Sequence, residues 1–151
     1  MIDVARKRFL NRKINFILCS LQDLPSLLAK QCVKTFDTII MAGVSMYVND
    51  CDLKGFYDYL FDVLNENSTI YIKESVGVEK RLTLNKHFSE SLKCNYSVIY
   101  RTREEYLALM KGLTDKTIIL KEKYCKELDR SVFSDTSHWC IVLKKPATSS
   151  K

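Results

Sequence analysis

A short apolar run, an amphipathic stretch and a second apolar run follow one another between Phe36 and Glu74. Residues 38–42 (Thr-Ile-Ile-Met-Ala) are uninterrupted by charge, which predicts a strand buried on both faces, as in parallel sheets. Apolar residues between 53 and 64 recur at the spacing of one helix face. Residues 69–72 (Thr-Ile-Tyr-Ile) predict a second strand. This order of elements predicts a right-handed crossover in a parallel sheet covered by helices.

The remaining elements are predicted from shorter signals. Asp50 or Asp52 can cap the start of the helix, and residues 65–68 (Asn-Glu-Asn-Ser) have the composition of a turn. In chain order, the other predicted elements are a helix within 4–13, a strand at 14–19, a loop at 20–25, a short helix through 27–32, a helix from a capping box at Thr102 and Glu105 to 113, and two antiparallel strands at 117–124 and 138–143. Residues 75–93 show no clear period, which predicts a lid or binding loop.

Length and composition indicate an ordinary globular domain. The chain has 151 residues, of which 46% are hydrophobic and 28% charged, values typical of soluble domains. We predict one domain over residues 1–145 and a disordered tail at 146–151, where small residues dominate. No apolar run approaches the roughly 18 residues that span a bilayer, and the N terminus has no signal-peptide pattern. We therefore expect a cytoplasmic protein with no membrane partner.

The net charge of +6 raises the question of a nucleic-acid partner. Five cations crowd the first thirteen residues, namely Arg6, Lys7, Arg8, Arg12 and Lys13. The apolar residues among them fit one helix stripe, so a solvated basic face is the favoured interpretation and nucleic acid is not favoured. A basic arm that meets phosphate is the alternative, and its binding would weaken steeply with added salt.

Six scattered cysteines give no sign of a disulfide framework or a metal site. They are Cys19, Cys32, Cys51, Cys94, Cys125 and Cys140. Several lie in apolar strand-like runs, which indicates buried, reduced thiols. No CxxC pair occurs, and neither His87 nor His138 has a cysteine at finger-like spacing, so we predict no metal site.

The order of several segments resembles that of class I S-adenosylmethionine-dependent methyltransferases. The matching segments are the Asp3 position, the loop Ser-Leu-Gln-Asp-Leu-Pro at 20–25, the start of a strand at 36–40, the strand at 70–74 and the closing helix, strand and antiparallel strand. The resemblance covers nearly the whole chain and the later two thirds of the family's domain. It implies a Rossmann-like methyltransferase sheet, mostly parallel with an antiparallel C-terminal strand, and S-adenosylmethionine as cofactor.

The resemblance also implies roles for individual residues. Asp3 would bind the cofactor ribose, since a carboxylate can accept two hydroxyl hydrogen bonds. The adenine would be bordered by Leu21, Gln22 and Asp23, and the methionine end by Ala42, Gly43 and Val44. Other roles are open for three of these positions: Asp23 as a turn residue, Gly43 as a bend, and Asp3 as part of a frayed terminus.

The family's glycine-rich loop after the first strand is absent from this sequence. The four glycines, Gly43, Gly55, Gly77 and Gly112, form no cluster, although such loops let the cofactor approach the backbone closely. We therefore expect a truncated domain that begins where the second strand ends. Its strand at 38–42 would have an open edge. Either the strand at 14–19 or a partner chain would cover that edge, or the chain would be unstable alone.

Methyl transfer requires an aligned acceptor that has lost its proton. Candidates lie at the carboxyl ends of the parallel strands, namely Ser45, Met46 and Tyr47 after one strand and Glu74 and Ser75 after the next. Of these we predict Glu74 and Tyr47 as catalytic, with Glu74 acting as a base or binding an amine. A solvated strand-end carboxylate is the alternative for Glu74. Tyr96, Tyr100 and Arg101 can contact the acceptor or simply pack.

The identity of the methyl acceptor is open. Residues 20–23 and 72–74 resemble the branch that methylates protein N termini, but the histidine expected after the middle strand is not found and Tyr47 lies in that region. A small-molecule amine or hydroxyl and a peptide N terminus are both retained. The alternative function is a non-catalytic methyltransferase-like scaffold or partner subunit.

Overall fold

The computed structural model describes residues 2–9, 13–90, 93–125 and 133–147. The chain divides into two compact units, Met1–Val33 and Lys34–Lys151. Most of the predicted tail at 146–151 lies outside the described residues. No helix in the described part of the chain is long and apolar enough to cross a membrane.

The first unit contains two short helices, α1 (Ile2–Arg8) and α2 (Leu24–Lys30). Proline in the first turn of α2 suits a helix start, because its fixed φ is helical and the missing N–H has no helical partner there. The predicted strand at 14–19 is wrong, since residues 14–20 are in no regular element. Apolar composition is insufficient for a strand, which also needs a neighbour to pair its backbone groups.

The local setting predicted for Asp3 is also corrected. The methyltransferase resemblance implies that Asp3 ends the second strand of the family's sheet, but Asp3 lies in the first turn of α1. Its carboxylate accepts a hydrogen bond from Arg6 at 3.3 Å, and its side chain is 80% exposed. An acidic residue in a first helical turn is favourable beside the positive end of the helix dipole.

The second unit holds the sheet and most of the helices. Its elements are β1 (Phe36–Ala42), a 3₁₀ turn (Ser45–Tyr47), α3 (Asp50–Asp62), β2 (Leu64–Gly77), β3 (Leu82–Ser89), β4 (Cys94–Tyr100), α4 (Arg103–Leu109), α5 (Lys111–Thr114), β5 (Ile118–Tyr124) and β6 (Thr136–Lys144). The predicted strand–helix–strand unit is confirmed as β1, α3 and β2.

The main sheet has four strands in the order β1-β2-β6-β5. β1 and β2 pair in parallel, with Ile39 opposite Ile70. β6 is antiparallel to both β2 and β5, so three strands share one direction and β6 alone runs against them. The prediction of a mostly parallel sheet with an antiparallel C-terminal strand is confirmed.

The segment predicted as a lid is instead a hairpin. β2 continues to Gly77, and β3 and β4 pair antiparallel as a separate two-stranded sheet. The register shifts between Leu84 and His87, and this irregularity breaks the alternation that would identify a strand. The predicted turn at 65–68 is also wrong, because these residues belong to β2.

Capping side chains set the starts of α3 and α4. Neither Asp50 nor Asp52 caps α3, because the Asn49 side chain accepts the Asp52 N–H. The capping box of Thr102 and Glu105 is confirmed, with both reciprocal hydrogen bonds present. Each of these hydrogen bonds gives an acceptor to a backbone N–H that has no partner within the helix.

The core lies on one face of the sheet. Ile70 and Ile72 of β2 are fully buried while Tyr71 between them is only partly covered, as expected from alternating side chains. Tyr106 of α4 stacks on Trp139 of β6, with ring centroids 6.1 Å apart. On β1, an edge strand, Ile40 is 70% exposed.

The expectation of buried cysteines is wrong at four positions. Cys19, Cys32, Cys51 and Cys94 are exposed, and the buried thiols are Cys125 and Cys140. The sulfur atoms of this buried pair lie 3.4 Å apart.

Candidate functional site

The carboxyl ends of β1 and β2 meet at one edge of the sheet. Ala42 pairs with Lys73, and the Gly43 N–H donates to the Lys73 carbonyl at 2.9 Å. Gly43 then adopts a φ of +64°, a left-handed conformation that glycine takes without strain. A side chain at Gly43 would meet no atom within 4 Å, so the chain leaves β1 beside open space.

The backbone after Gly43 folds into what we call the strand-end turn, residues 44–48. Its amide groups face the buried carboxylate of Glu74, where Oε1 accepts from the Val44 nitrogen at 3.3 Å and from the Ser45 nitrogen at 3.0 Å. Glu74 is only 1% exposed. The carboxylate therefore satisfies two backbone donors that the 3₁₀ turn leaves unpaired.

The carbonyl side of the same turn is bound by Arg101. Its Nη1 donates to the Ser45 carbonyl at 2.9 Å, and its Nη2 donates to the Val48 carbonyl at 2.6 Å. Asp50 accepts from both Nε and Nη2, at 2.8 and 2.6 Å. The Arg101 side chain is completely buried, so its charge is compensated by these acceptors rather than by water.

Burial dominates the electrostatics around Glu74. It raises the pKa of Glu74, and the hydrogen bonds from Ser45 and Val44 oppose that rise only in part. Burial likewise raises the pKa of Tyr57, whose hydroxyl donates to Ser45 Oγ at 3.0 Å, and the pKa of Tyr106. Among the described residues, neither Glu74 Oε2 nor the Tyr106 hydroxyl has a hydrogen-bond partner.

A cavity of about 230 Å³ opens at the strand ends. Its lining residues come from the end of β1 and the residue after it, from β2 and from β6, namely Ala42, Gly43, Lys73, Glu74, Ser75 and His138. His138 Nδ1 lies 3.2 Å from Ser75 Oγ, within hydrogen-bond reach. Polar groups that converge on a cavity at the carboxyl ends of parallel strands are typical of ligand sites in open α/β sheets.

The structure brings together three of the predicted site residues. Ala42, Gly43 and Glu74 line this cavity. Val44 and Tyr47, which are 39% and 58% exposed, belong to the strand-end turn. Their cofactor and catalytic roles stay predictions.

The other predicted cofactor residues belong to the first unit. Leu21, Gln22 and Asp23 form a turn that leads into α2, and Asp3 lies in α1. The Ser20 hydroxyl donates to the Asp23 carboxylate at 2.6 Å and accepts the Asp23 N–H at 3.1 Å. Asp23 thus has the local bonds of a turn residue, and its contact with adenine stays a prediction.

Sequence reasoning missed several residues of this site. Tyr106 and His138 were not predicted as site residues, and Arg101 was considered only as an acceptor contact or a packing residue. A histidine at the head of the apolar run 138–143 is a signal that could have identified His138. Arg101 gave no comparable signal, because its burial depends on carbonyl groups 53 and 56 residues away.

A metal centre finds no support in the described residues. They contain no group of three or more histidine, cysteine, aspartate or glutamate side chains placed to hold an ion.

Solved structures with this fold include several enzymes. An S-adenosylmethionine-dependent methyltransferase from Leishmania major matches 95% of this chain and 51% of its own, with a TM-score of 0.65 and 19% identity. The 1,6-didemethyltoxoflavin-N1-methyltransferase of Burkholderia thailandensis, solved with bound 1,6-didemethyltoxoflavin and S-adenosylhomocysteine, matches 96% of this chain and 56% of its own (TM-score 0.63, 11% identity). The match to the (4+2)-cyclase SpnF covers 97% of this chain and 61% of the cyclase, with a TM-score of 0.60 and 14% identity.

These similarities show the fold of the chain. It is the Rossmann-like fold of class I S-adenosylmethionine-dependent methyltransferases, so the predicted fold class is confirmed. The chain spans about half the length of the Leishmania protein. No family model matches the sequence, and no curated protein does. Because the cyclase shares the fold, the activity has to be argued from the site.

Proposed function

We propose that this chain is an S-adenosylmethionine-dependent methyltransferase that acts on a small-molecule amine or hydroxyl or on a protein N terminus. The observation that carries the proposal is the cavity at the carboxyl ends of β1 and β2, where Gly43 leaves open space beside the backbone and Glu74 is buried. The proposal includes a cytoplasmic location. It also includes a partner chain that covers the edge of β1, because Ile40 of this edge strand is exposed.

The residues at the cavity suit the methionine end of the cofactor. Ala42, Gly43 and Val44 would hold it, because a glycine with positive φ and no neighbour at its Cβ position allows close approach to the backbone. Leu21, Gln22 and Asp23 would border the adenine. Asp3 is the weakest of these assignments, since its carboxylate is already bonded to Arg6 in helix α1.

The bound cofactor supplies an activated methyl group, and this chain aligns the acceptor. Tyr47 is exposed on the strand-end turn and would contact the acceptor there. Glu74 uses Oε1 to hold the turn, which leaves Oε2 to accept a hydrogen bond from an acceptor amine or from a water that carries its proton away. Burial raises the pKa of Glu74 towards the range of a useful base.

A non-catalytic scaffold or partner subunit is the second candidate function. The observation that favours it is the distribution of glycine, because none of the four glycines form the cluster that brings a backbone close to the cofactor. Each missing backbone hydrogen bond lowers affinity by about 0.5 to 1.5 kcal/mol. We therefore expect weak cofactor binding by this chain.

Calorimetric titration with S-adenosylhomocysteine separates the two candidates. Under the methyltransferase proposal, the chain gives weak but saturable heat, and Ala42→Phe abolishes it by filling the cavity. Leu120→Phe is the matched control, because Leu120 is an exposed residue of β5 that does not line the cavity. The absence of both heat and a thermal shift at millimolar ligand would exclude cofactor use by this chain and favour the scaffold.

A further inference from the structure

The strand-end turn is held from both sides by buried charges. Glu74 accepts from its amide groups at Val44 and Ser45, whereas Arg101 donates to its carbonyl groups at Ser45 and Val48. Ser45 is therefore bonded through both of its backbone groups, and it is fully buried. Hydrogen bonds to charged groups are stronger than neutral ones, so this arrangement fixes the backbone of the turn closely.

Arg101 is committed to this arrangement. Its guanidinium donates to the two carbonyl groups and to Asp50, and it lies 5.6 Å from the centre of the Tyr106 ring. Since the side chain is fully buried and, unlike Glu74, does not line the cavity, it does not reach an acceptor bound there. The sequence-based expectation of a direct contact between Arg101 and the acceptor is therefore replaced by an indirect role.

Side-chain packing joins the turn to the hairpin at a second point. Met46 is 7% exposed and packs in one apolar cluster with Val98 and Tyr100 of β4. Arg101 directly follows β4, so one end of the hairpin supplies both contacts. With Ser45 and Met46 turned inward, Val44 and Tyr47 are the members of the turn that stay exposed towards solvent.

We propose that Arg101 is a positioning residue, which sets the place of Val44 and Tyr47 by binding the adjacent carbonyl groups of Ser45 and Val48. This inference rests on the proposed function, in which these two residues face the cofactor and the acceptor. Lysine at position 101 keeps the positive charge but lacks the planar fork that serves several acceptors at once. Arg101→Lys should therefore loosen the turn while preserving the fold.

The test combines hydrogen exchange with ligand binding in three forms of the chain. Wild type, Arg101→Lys and Arg103→Lys are compared by the amide exchange of residues 43–49 and by calorimetric titration with S-adenosylhomocysteine. Arg103 is the matched control, because it donates two hydrogen bonds to Glu122, away from the turn. We expect Arg101→Lys to raise exchange about tenfold, as for the loss of one or two hydrogen bonds, and to weaken binding about fivefold or more. Arg103→Lys should change neither.

Each result decides between a positioning role and a general structural one. Unchanged exchange in Arg101→Lys, or faster exchange with unaltered affinity for S-adenosylhomocysteine, would overturn the inference. If the wild-type chain binds no S-adenosylhomocysteine, the proposed function fails. The exchange data still show whether Arg101 stabilises the backbone of the strand-end turn. Should Arg101→Lys not fold, Asp50→Asn weakens the same arrangement more gently and is expected to change both readouts in the same direction.

Discussion

The Glu74 carboxylate lies 3.0 Å from the backbone nitrogen of Ser45, and this hydrogen bond links β2 to the turn that follows β1. The two residues are 29 positions apart in the chain. The bond gives a buried acid a structural partner while its second oxygen has none among the described residues. Glu74 thus combines support for the turn with the raised pKa of a buried carboxylate.

Replacing Glu74 by glutamine should change how stability depends on pH. Because the folded-state pKa of Glu74 is raised above its usual 4.5, the native state binds more protons than the unfolded state between the two values. Stability of the wild type therefore falls as pH rises from about 4.5 through the raised pKa. Glu74→Gln keeps an oxygen for the Ser45 N–H but cannot ionise, so it should remove this fall and be about 1 kcal/mol more stable at neutral pH.

Urea unfolding at a series of pH values measures this difference. The exposed Glu79 provides the control, since Glu79→Gln removes the same charge at the surface. A Glu74→Gln variant that follows the wild-type pH dependence throughout would show that Glu74 does not titrate above its ordinary range.

Gly77→Ala should be more damaging than Gly112→Ala. A Cβ at Gly77 would lie 2.1 Å from the Lys80 carbonyl oxygen and 3.2 Å from that of Tyr100, and backbone atoms cannot move aside easily. At Gly112 the close atom is Asp58 Oδ1, also at 2.1 Å, at the end of a side chain that can rotate. We expect Gly77→Ala to lose about 1 to 3 kcal/mol, while better helix propensity offsets the contact at Gly112.

Thermal unfolding of the two alanine variants gives the comparison directly, because both replace a glycine with the same residue. Equal stability of the two variants would contradict the close packing of Gly77 against the Lys80 and Tyr100 carbonyl groups. The Gly77 N–H also donates to the Arg101 carbonyl at 3.0 Å, so a displaced Gly77 should disturb the strand-end turn as well.

The sequence predicts the β1–α3–β2 unit well, because the spacing of apolar residues indicates which face of each helix or strand is buried. Thr69–Ile72 and the helix stripe from Leu53 to Phe61 lie where their periodicity indicates, whereas Leu64, predicted as the end of that stripe, is the first residue of β2. The hairpin was missed, because the register shift between Leu84 and His87 interrupts its alternation. The strand predicted at 14–19 failed for another reason, since pairing with a neighbour is not encoded in the segment itself.

The candidate site was predictable only in part. Strand ends are inferred from topology, so Gly43 and Glu74 could be placed at one edge of the sheet before the structure was known. The buried state of Arg101 could not, because a guanidinium enters a protein interior only where carbonyl and carboxylate groups from distant segments converge. Here Ser45, Val48 and Asp50 provide them.

Removal of the Asn49 side chain should weaken α3. Asn49 accepts the Asp52 N–H at 2.9 Å as the N-cap of this helix. Asn49→Ala should destabilise the chain by about 1 kcal/mol, whereas Asn49→Ser preserves an uncharged acceptor and should cost little. Urea unfolding of both variants tests the assignment, and equal losses would show that the cap contributes nothing specific.

Lys145→Met should destabilise the junction between α3 and β2. The Lys145 ammonium donates to the carbonyl groups of Phe61 at 3.1 Å and Leu64 at 2.9 Å, and it lies 4.2 Å from the centre of the Phe61 ring. Methionine has a similar length but neither the donors nor the charge, so carbonyl groups at the end of α3 lose their partner. We expect a loss of about 1 to 2 kcal/mol in urea unfolding. Lys144→Met makes the same chemical change one residue earlier, and a loss as large there would refute a specific role for Lys145.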